Sequence, residues 1–117
     1  MEFIFEKLEA WKISMELVNL IYEVTAKFPD KENYGLISQI RRSAVSIPAN
    51  IAEGKGRNSD KEFKQFLYIS RGSLYETITL LKIAKDQSFL KEKDYECIMI
   101  FLRQVQSKLS GLINYLK

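Results

Sequence analysis

Between Tyr95 and Leu116 the apolar residues fall at Tyr95, Ile98, Leu102, Val105, Leu109, Leu112 and Leu116, so that spacings of three and four alternate without a break. Only a helix gathers that series onto one face, because a strand would alternate at every second position. The pattern predicts a last helix of about 25 residues with a continuous core-facing seam. Phe101 and Ile113 widen the seam, which suits a helix with more than one neighbour.

The same periodicity marks three earlier helices. Residues 6 to 28 carry Leu8, Trp11, Met15, Val18 and Tyr22, and beside them a second series, Leu17, Ile21, Val24 and Phe28. Two stripes on one helix predict two buried faces, and Pro29 ends the helix because it lacks the N–H and restricts the residue before it. A third helix over 60 to 86 has Phe63, Phe66, Leu67, Leu74, Ile78 and Leu81 on its core side. Ser59 is placed to cap it, with Glu62 three residues on to close a capping box. Ser70, Gly72, Ser73 and Thr77 are small residues that would let another helix come close.

The second helix, over 33 to 55, holds Ile37, Ile40, Ala44, Ile47 and Ile51 on one side. At about 100° per residue, Arg42, Ser46, Asn50, Glu53 and Arg57 share an arc of about 80° on the other. A polar network joining Arg42, Asn50 and Glu53 is expected along that arc, with Arg41 and Ser46 in the same motif. Pro48 lies in the middle, where a proline costs about 3 kcal/mol and kinks the helix. A side chain or water is expected to satisfy the Ala44 carbonyl that loses its donor. Gly54 and Gly56 suit the left-handed positions that finish a helix. GKGRNSD, at 54 to 60, lacks both the third glycine of a dinucleotide fingerprint and the Gly-Lys-Ser/Thr ending of a phosphate loop, so it reads as a turn between helices.

Four helices in 117 residues make one domain, 1–117, with no Ser/Gly-rich linker and no internal repeat. The start, MEFIFEKLEAWK, has no basic region followed by an apolar run, and the longest apolar run, Cys97 to Leu102, is too short to span a bilayer. A cytoplasmic protein is expected, with no membrane contact. Cys97 is the one cysteine and histidine is absent, which excludes His-assisted nucleophiles and the usual zinc sites. Cys97 is expected to pack as a small apolar residue. Acids interleave with lysines, as in KEKDYE at 91 to 96, in the manner of a solvated face. The chain is therefore read as a non-enzyme with no metal and no cofactor.

The segments KFPDKENYGLISQIRRSAVSIPANIAEGKGR, at 27 to 57, and KEFKQFLYISRGSLYE, at 61 to 76, resemble the family of four helix bundle proteins, or 23S rRNA-intervening sequence proteins. The Arg-Arg, Ser-Ile-Pro, Asn-Ile-Ala-Glu-Gly and Gly-x-Arg elements carry the likeness, which runs from Trp11 to Glu76. It implies an all-α, up-and-down antiparallel four-helix bundle that assembles into a homopentamer. The family name records where some members are encoded and not an activity. A relative, the accessory variability determinant of diversity-generating retroelements, is a basic pentameric barrel associated with nucleic acid and a reverse transcriptase.

Charge is uneven along the chain. Residues 41 to 71 hold seven Lys/Arg against three Asp/Glu, while 1 to 40 net −3 and 72 to 117 net +2. Repeated around a ring, the local excess becomes a substantial positive surface. The expected function is weak, non-sequence-specific binding of RNA or single-stranded nucleic acid through Lys55, Arg57, Lys61, Lys64 and Arg71, with Tyr68 and Tyr75 flanking Arg71 at helical spacing. The alternative is a scaffold, with or without a partner protein, whose polar stripe only holds the bundle together.

Overall fold

The computed structural model describes residues 1–116. Four helices follow one another: Glu9–Thr25 (α1), Leu36–Lys55 (α2), Asp60–Asp86 (α3) and Glu92–Tyr115 (α4). Short 3-10 turns over Ile4–Lys7 and Asp30–Glu32 precede α1 and α2, and there is no strand among the described residues. Each helix packs on the next, α4 closes back on α1, and the diagonal pairs do not meet. That is the ring of an up-and-down bundle. At about 1.5 Å per residue the 27 residues of α3 span about 40 Å, which sets the long dimension of 43 Å.

The core is assembled from the predicted seams. In α4, Ile98, Leu102, Val105 and Leu109 are fully buried, Ile113 and, just past the helix end, Leu116 nearly so, and Tyr95, Phe101 and Leu112 half-buried at the flanks. In α2, Ile37, Ile40, Ala44, Ile47 and Ile51 are buried, and α3 adds Phe63, Leu67, Leu74 and Leu81. Each fully buried Leu or Ile contributes about 1.5–3 kcal/mol by leaving water. α1 buries one of its two stripes. Leu17, Ile21, Val24 and Phe28 are core, whereas Leu8, Trp11 and Val18 are half-covered and Met15 and Tyr22 are exposed, so the expected second buried face is left partly open within one chain.

Several local expectations are corrected. α1 ends at Thr25 rather than 28, although Phe28 stays buried beside Phe89, with ring centroids 6.2 Å apart. α2 begins at Leu36 rather than 33, after the turn that follows Pro29. Gly54 and Gly56 are not left-handed: no glycine has a positive φ, and Gly54 lies inside α2. A Cβ on Gly54 would sit 2.6 Å from the Phe66 Cβ, so this glycine lets α2 and α3 approach. Gly72, expected to serve close packing, faces open space. Ser59 caps α3 as predicted, its Oγ accepting from the Glu62 N–H at 3.2 Å, but only that half of the capping box is made. Cys97 is exposed, because it sits one position before Ile98 and so turns off the seam.

Candidate nucleic-acid interface

The polar arc on α2 divides into three parts with different partners. Its middle faces α3. Asn50 Nδ2 donates to the Ser46 carbonyl and approaches Ser46 Oγ, each at 2.8 Å, and Ser46 Oγ meets Ser73 Oγ at 2.8 Å. Nearby, Ser70 Oγ donates to the Ile47 carbonyl at 2.9 Å, and Ser43 Oγ meets Thr77 Oγ1 at 2.8 Å. Ser43, Ser70 and Thr77 are buried, and every buried side-chain N or O among the described residues has a partner. These hydroxyls form the seam by which α2 and α3, the most extensively packed pair, lie against each other. Pro48 is buried within it, and the helix continues through the proline. Side-chain donors support the carbonyls of Ser46 and Ile47, two and three residues on from the Ala44 carbonyl that was expected to receive them.

The two ends of the arc behave differently. Glu53 pairs with Arg57 at 2.9 Å on the surface, and Arg42 is exposed, so the expected Arg42–Asn50–Glu53 network does not form. The reason is geometric: Asn50 bonds one turn back to Ser46 and Glu53 pairs one turn on with Arg57, which leaves neither for Arg42. Arg41, not Arg42, is the tethered arginine. Its Nε donates to Thr25 Oγ1 at 2.9 Å and its Nη2 to the Tyr22 carbonyl at 3.3 Å, with the guanidinium 4.4 Å from the centre of the Tyr22 ring.

The cations named for nucleic acid lie at the α2–α3 turn and along α3. Lys55 Nζ stands 5.4 Å from the centre of the Phe63 ring and the Arg57 guanidinium 4.7 Å from that of Phe66. Along α3, Lys61, Lys64, Tyr68, Arg71 and Tyr75 succeed one another at spacings of three and four, which places them on one stripe. Arg71 stacks on Tyr68 at 5.2 Å, both Tyr68 and Tyr75 are exposed, and the Tyr75 hydroxyl accepts from Gln106 Nε2 of α4 at 3.3 Å. Of the five cations only Arg57 pairs with an acid among the described residues. Lys82, absent from the sequence reading, continues the stripe and donates to the Tyr95 hydroxyl at 2.8 Å. Its spacing of seven from Tyr75 was the signal that could have found it.

No helix among the described residues is long and apolar enough to cross a membrane, and no group of three or more His, Cys, Asp or Glu among them is placed to hold a metal ion. No curated protein matches the chain. Among solved structures, a protein of unknown function from the S23 ribosomal protein family of Bacteroides thetaiotaomicron superimposes with a TM-score of 0.80 at 24% identity, over 90% of this chain and 95% of that one. It is similar in fold. The family model of the 23S rRNA-intervening sequence protein matches residues 6–111, nearly the whole bundle, and the chain belongs to that family.

Proposed function

We propose that the chain is a non-catalytic bundle that assembles with copies of itself and binds RNA or single-stranded nucleic acid weakly, with little sequence preference. The observation that carries this reading is the stripe Lys61–Lys64–Tyr68–Arg71–Tyr75, extended over the turn by Lys55 and Arg57. Its cations lack acid partners apart from Arg57, and its two tyrosines are exposed. Cations that reach phosphates displace counterions, and aromatic faces stack on bases without reading them. The family supplies the context of an rRNA-encoded protein by name only. Anisotropy of a labelled RNA tests the proposal. If about four phosphates are neutralised, the log–log salt slope is close to −3, a loss of roughly sixtyfold between 50 and 200 mM salt. A Lys55/Arg57/Lys61 charge-reversed variant is expected to lose binding while keeping its oligomeric state; binding that ignores the reversal would refute the assignment.

One observation favours the scaffold reading for part of the motif. Ser46 and Asn50 spend their hydrogen bonds inside the α2–α3 seam. The middle of the polar stripe is then structural, and nucleic-acid binding rests on the cations of the turn and α3.

A further inference from the structure

A second basic site shares no residue with the proposed nucleic-acid stripe. Between the end of α1 and the first half of α2 is an open recess of about 430 Å³, lined by Tyr22, Asn33, Ser38, Arg41, Arg42 and Val45 among others. No Asp or Glu lines it. Two adjacent arginines lie there, Arg41 against neutral acceptors and an aromatic ring, and neither forms an ion pair among the described residues.

We propose that this recess binds a phosphate group, held between Arg41 and Arg42. Arg41 is fixed for the purpose. Its Nε–H is used on Thr25, whose hydroxyl is itself anchored on the Ile21 carbonyl at 2.7 Å, and one Nη2–H is used on the Tyr22 carbonyl. With the guanidinium carbon 4.4 Å from the centre of the Tyr22 ring, the remaining N–H groups on Nη1 and Nη2 are left for a ligand. Arginine forks match phosphate oxygens in pairs, and a guanidinium already oriented loses less freedom on binding than a free one. Arg42 is exposed and untethered, so it can close on the same anion from the solvent side, where Asn33 and Ser38 add neutral polar groups. The volume lies within the range of small-molecule sites and exceeds what one phosphate needs, leaving room for the group that bears it. The recess is lined only by α1, α2 and the turn between them, whereas Tyr75 and Lys82 of the α3 stripe meet Gln106 and Tyr95 on the α4 side, so the two sites share no residue and the recess does not depend on the stripe.

The phosphate can belong to a free nucleotide, a strand end or a strand backbone, and the chemistry recognised is the same. Titration calorimetry of the full chain with inorganic phosphate, against chloride at equal ionic strength, is expected to show saturable binding. Arg42→Gln is expected to weaken it about tenfold, or roughly 1.4 kcal/mol. Lys61→Gln/Lys64→Gln, on the other stripe, should leave it unchanged. Arg41→Lys, which keeps the charge but not the fork, should also weaken it; Arg42→Gln keeps the test valid if loss of the Thr25 tether harms folding. A second series with adenosine monophosphate and with 5′-phosphorylated and 5′-hydroxyl oligoribonucleotides separates the sources: preference for the phosphorylated end identifies a monoester, and equal affinity a backbone phosphodiester. Absence of phosphate binding beyond chloride, or binding indifferent to Arg42→Gln, overturns the proposal. Absence of binding with oligomer dissociation in Arg42→Gln does the same and makes the arginines part of a contact between copies.

Discussion

Ser88 is the one non-glycine residue of positive φ among the described residues, at 65°, and it stops α3. Its N–H donates to the Lys85 carbonyl at 3.0 Å and the Phe89 N–H to the Ala84 carbonyl at 2.9 Å, the paired bonds of a Schellman turn. An L side chain in that region costs about 1 kcal/mol relative to glycine. Ser88→Gly is expected to raise the melting temperature by about 4 °C. The two informative glycines should respond in opposite senses. Gly54→Ala places a methyl against the rigid Phe66 Cβ and is expected to cost about 1–2 kcal/mol after the gain in helix propensity. Gly72→Ala meets nothing within 4 Å and is expected to gain about 1 kcal/mol. Denaturant unfolding of the pair checks both, and a shared sign would refute the account of Gly54 as the point of close approach.

At the scale of elements, the α2–α3 pair is joined by hydroxyl-to-hydroxyl pairs, Ser43–Thr77 and Ser46–Ser73, as well as by apolar packing. A buried hydroxyl without a partner costs more than a made hydrogen bond contributes, so the seam discriminates against sliding one helix along the other. Asn50→Ala removes the two contacts to Ser46 while leaving Ile47 and Ile51 in the core. The expected loss is about 1 kcal/mol in stability, read by chemical denaturation, with the salt slope of RNA binding unchanged. Should RNA binding fall while stability holds, Asn50 would belong to the ligand surface instead. The Glu53–Arg57 pair is exposed and contributes about 0.3–0.5 kcal/mol, too little to anchor the turn by itself.

For the whole molecule, the relevant feature is apolar surface that one bundle does not cover. Met15 on α1, Ile69 and Ile83 on α3 and Ile100 on α4 are exposed on the outside of the ring of helices. Surface of this kind is covered most economically by symmetric self-association, in line with the homopentamer that the sequence resemblance implies. Sedimentation velocity at micromolar concentration is expected to show a stable oligomer of the 13.7 kDa chain. A monomer under those conditions would contradict the assembly and with it the repeated basic surface around a ring.

The bundle was legible before any coordinates because helical periodicity is a local property. A fixed rotation per residue turns Tyr95 to Leu116 into a seam whatever lies opposite, and the Ser59 cap placed the start of α3 at Asp60. The candidate cations of α3 were legible for the same reason, since their spacing alone puts them on one stripe. What a side chain meets across an interface is not local. It depends on how far two helices are rotated and shifted against each other, which the cores of both decide together. That is why the sequence marked Gly72 and the structure required Gly54, why Ser46 turned to α3 and took Asn50 with it, away from Arg42, and why Arg41 rather than Arg42 was fixed to α1. The recess with its two arginines arises only where the end of α1 meets the start of α2, and no single segment encodes it.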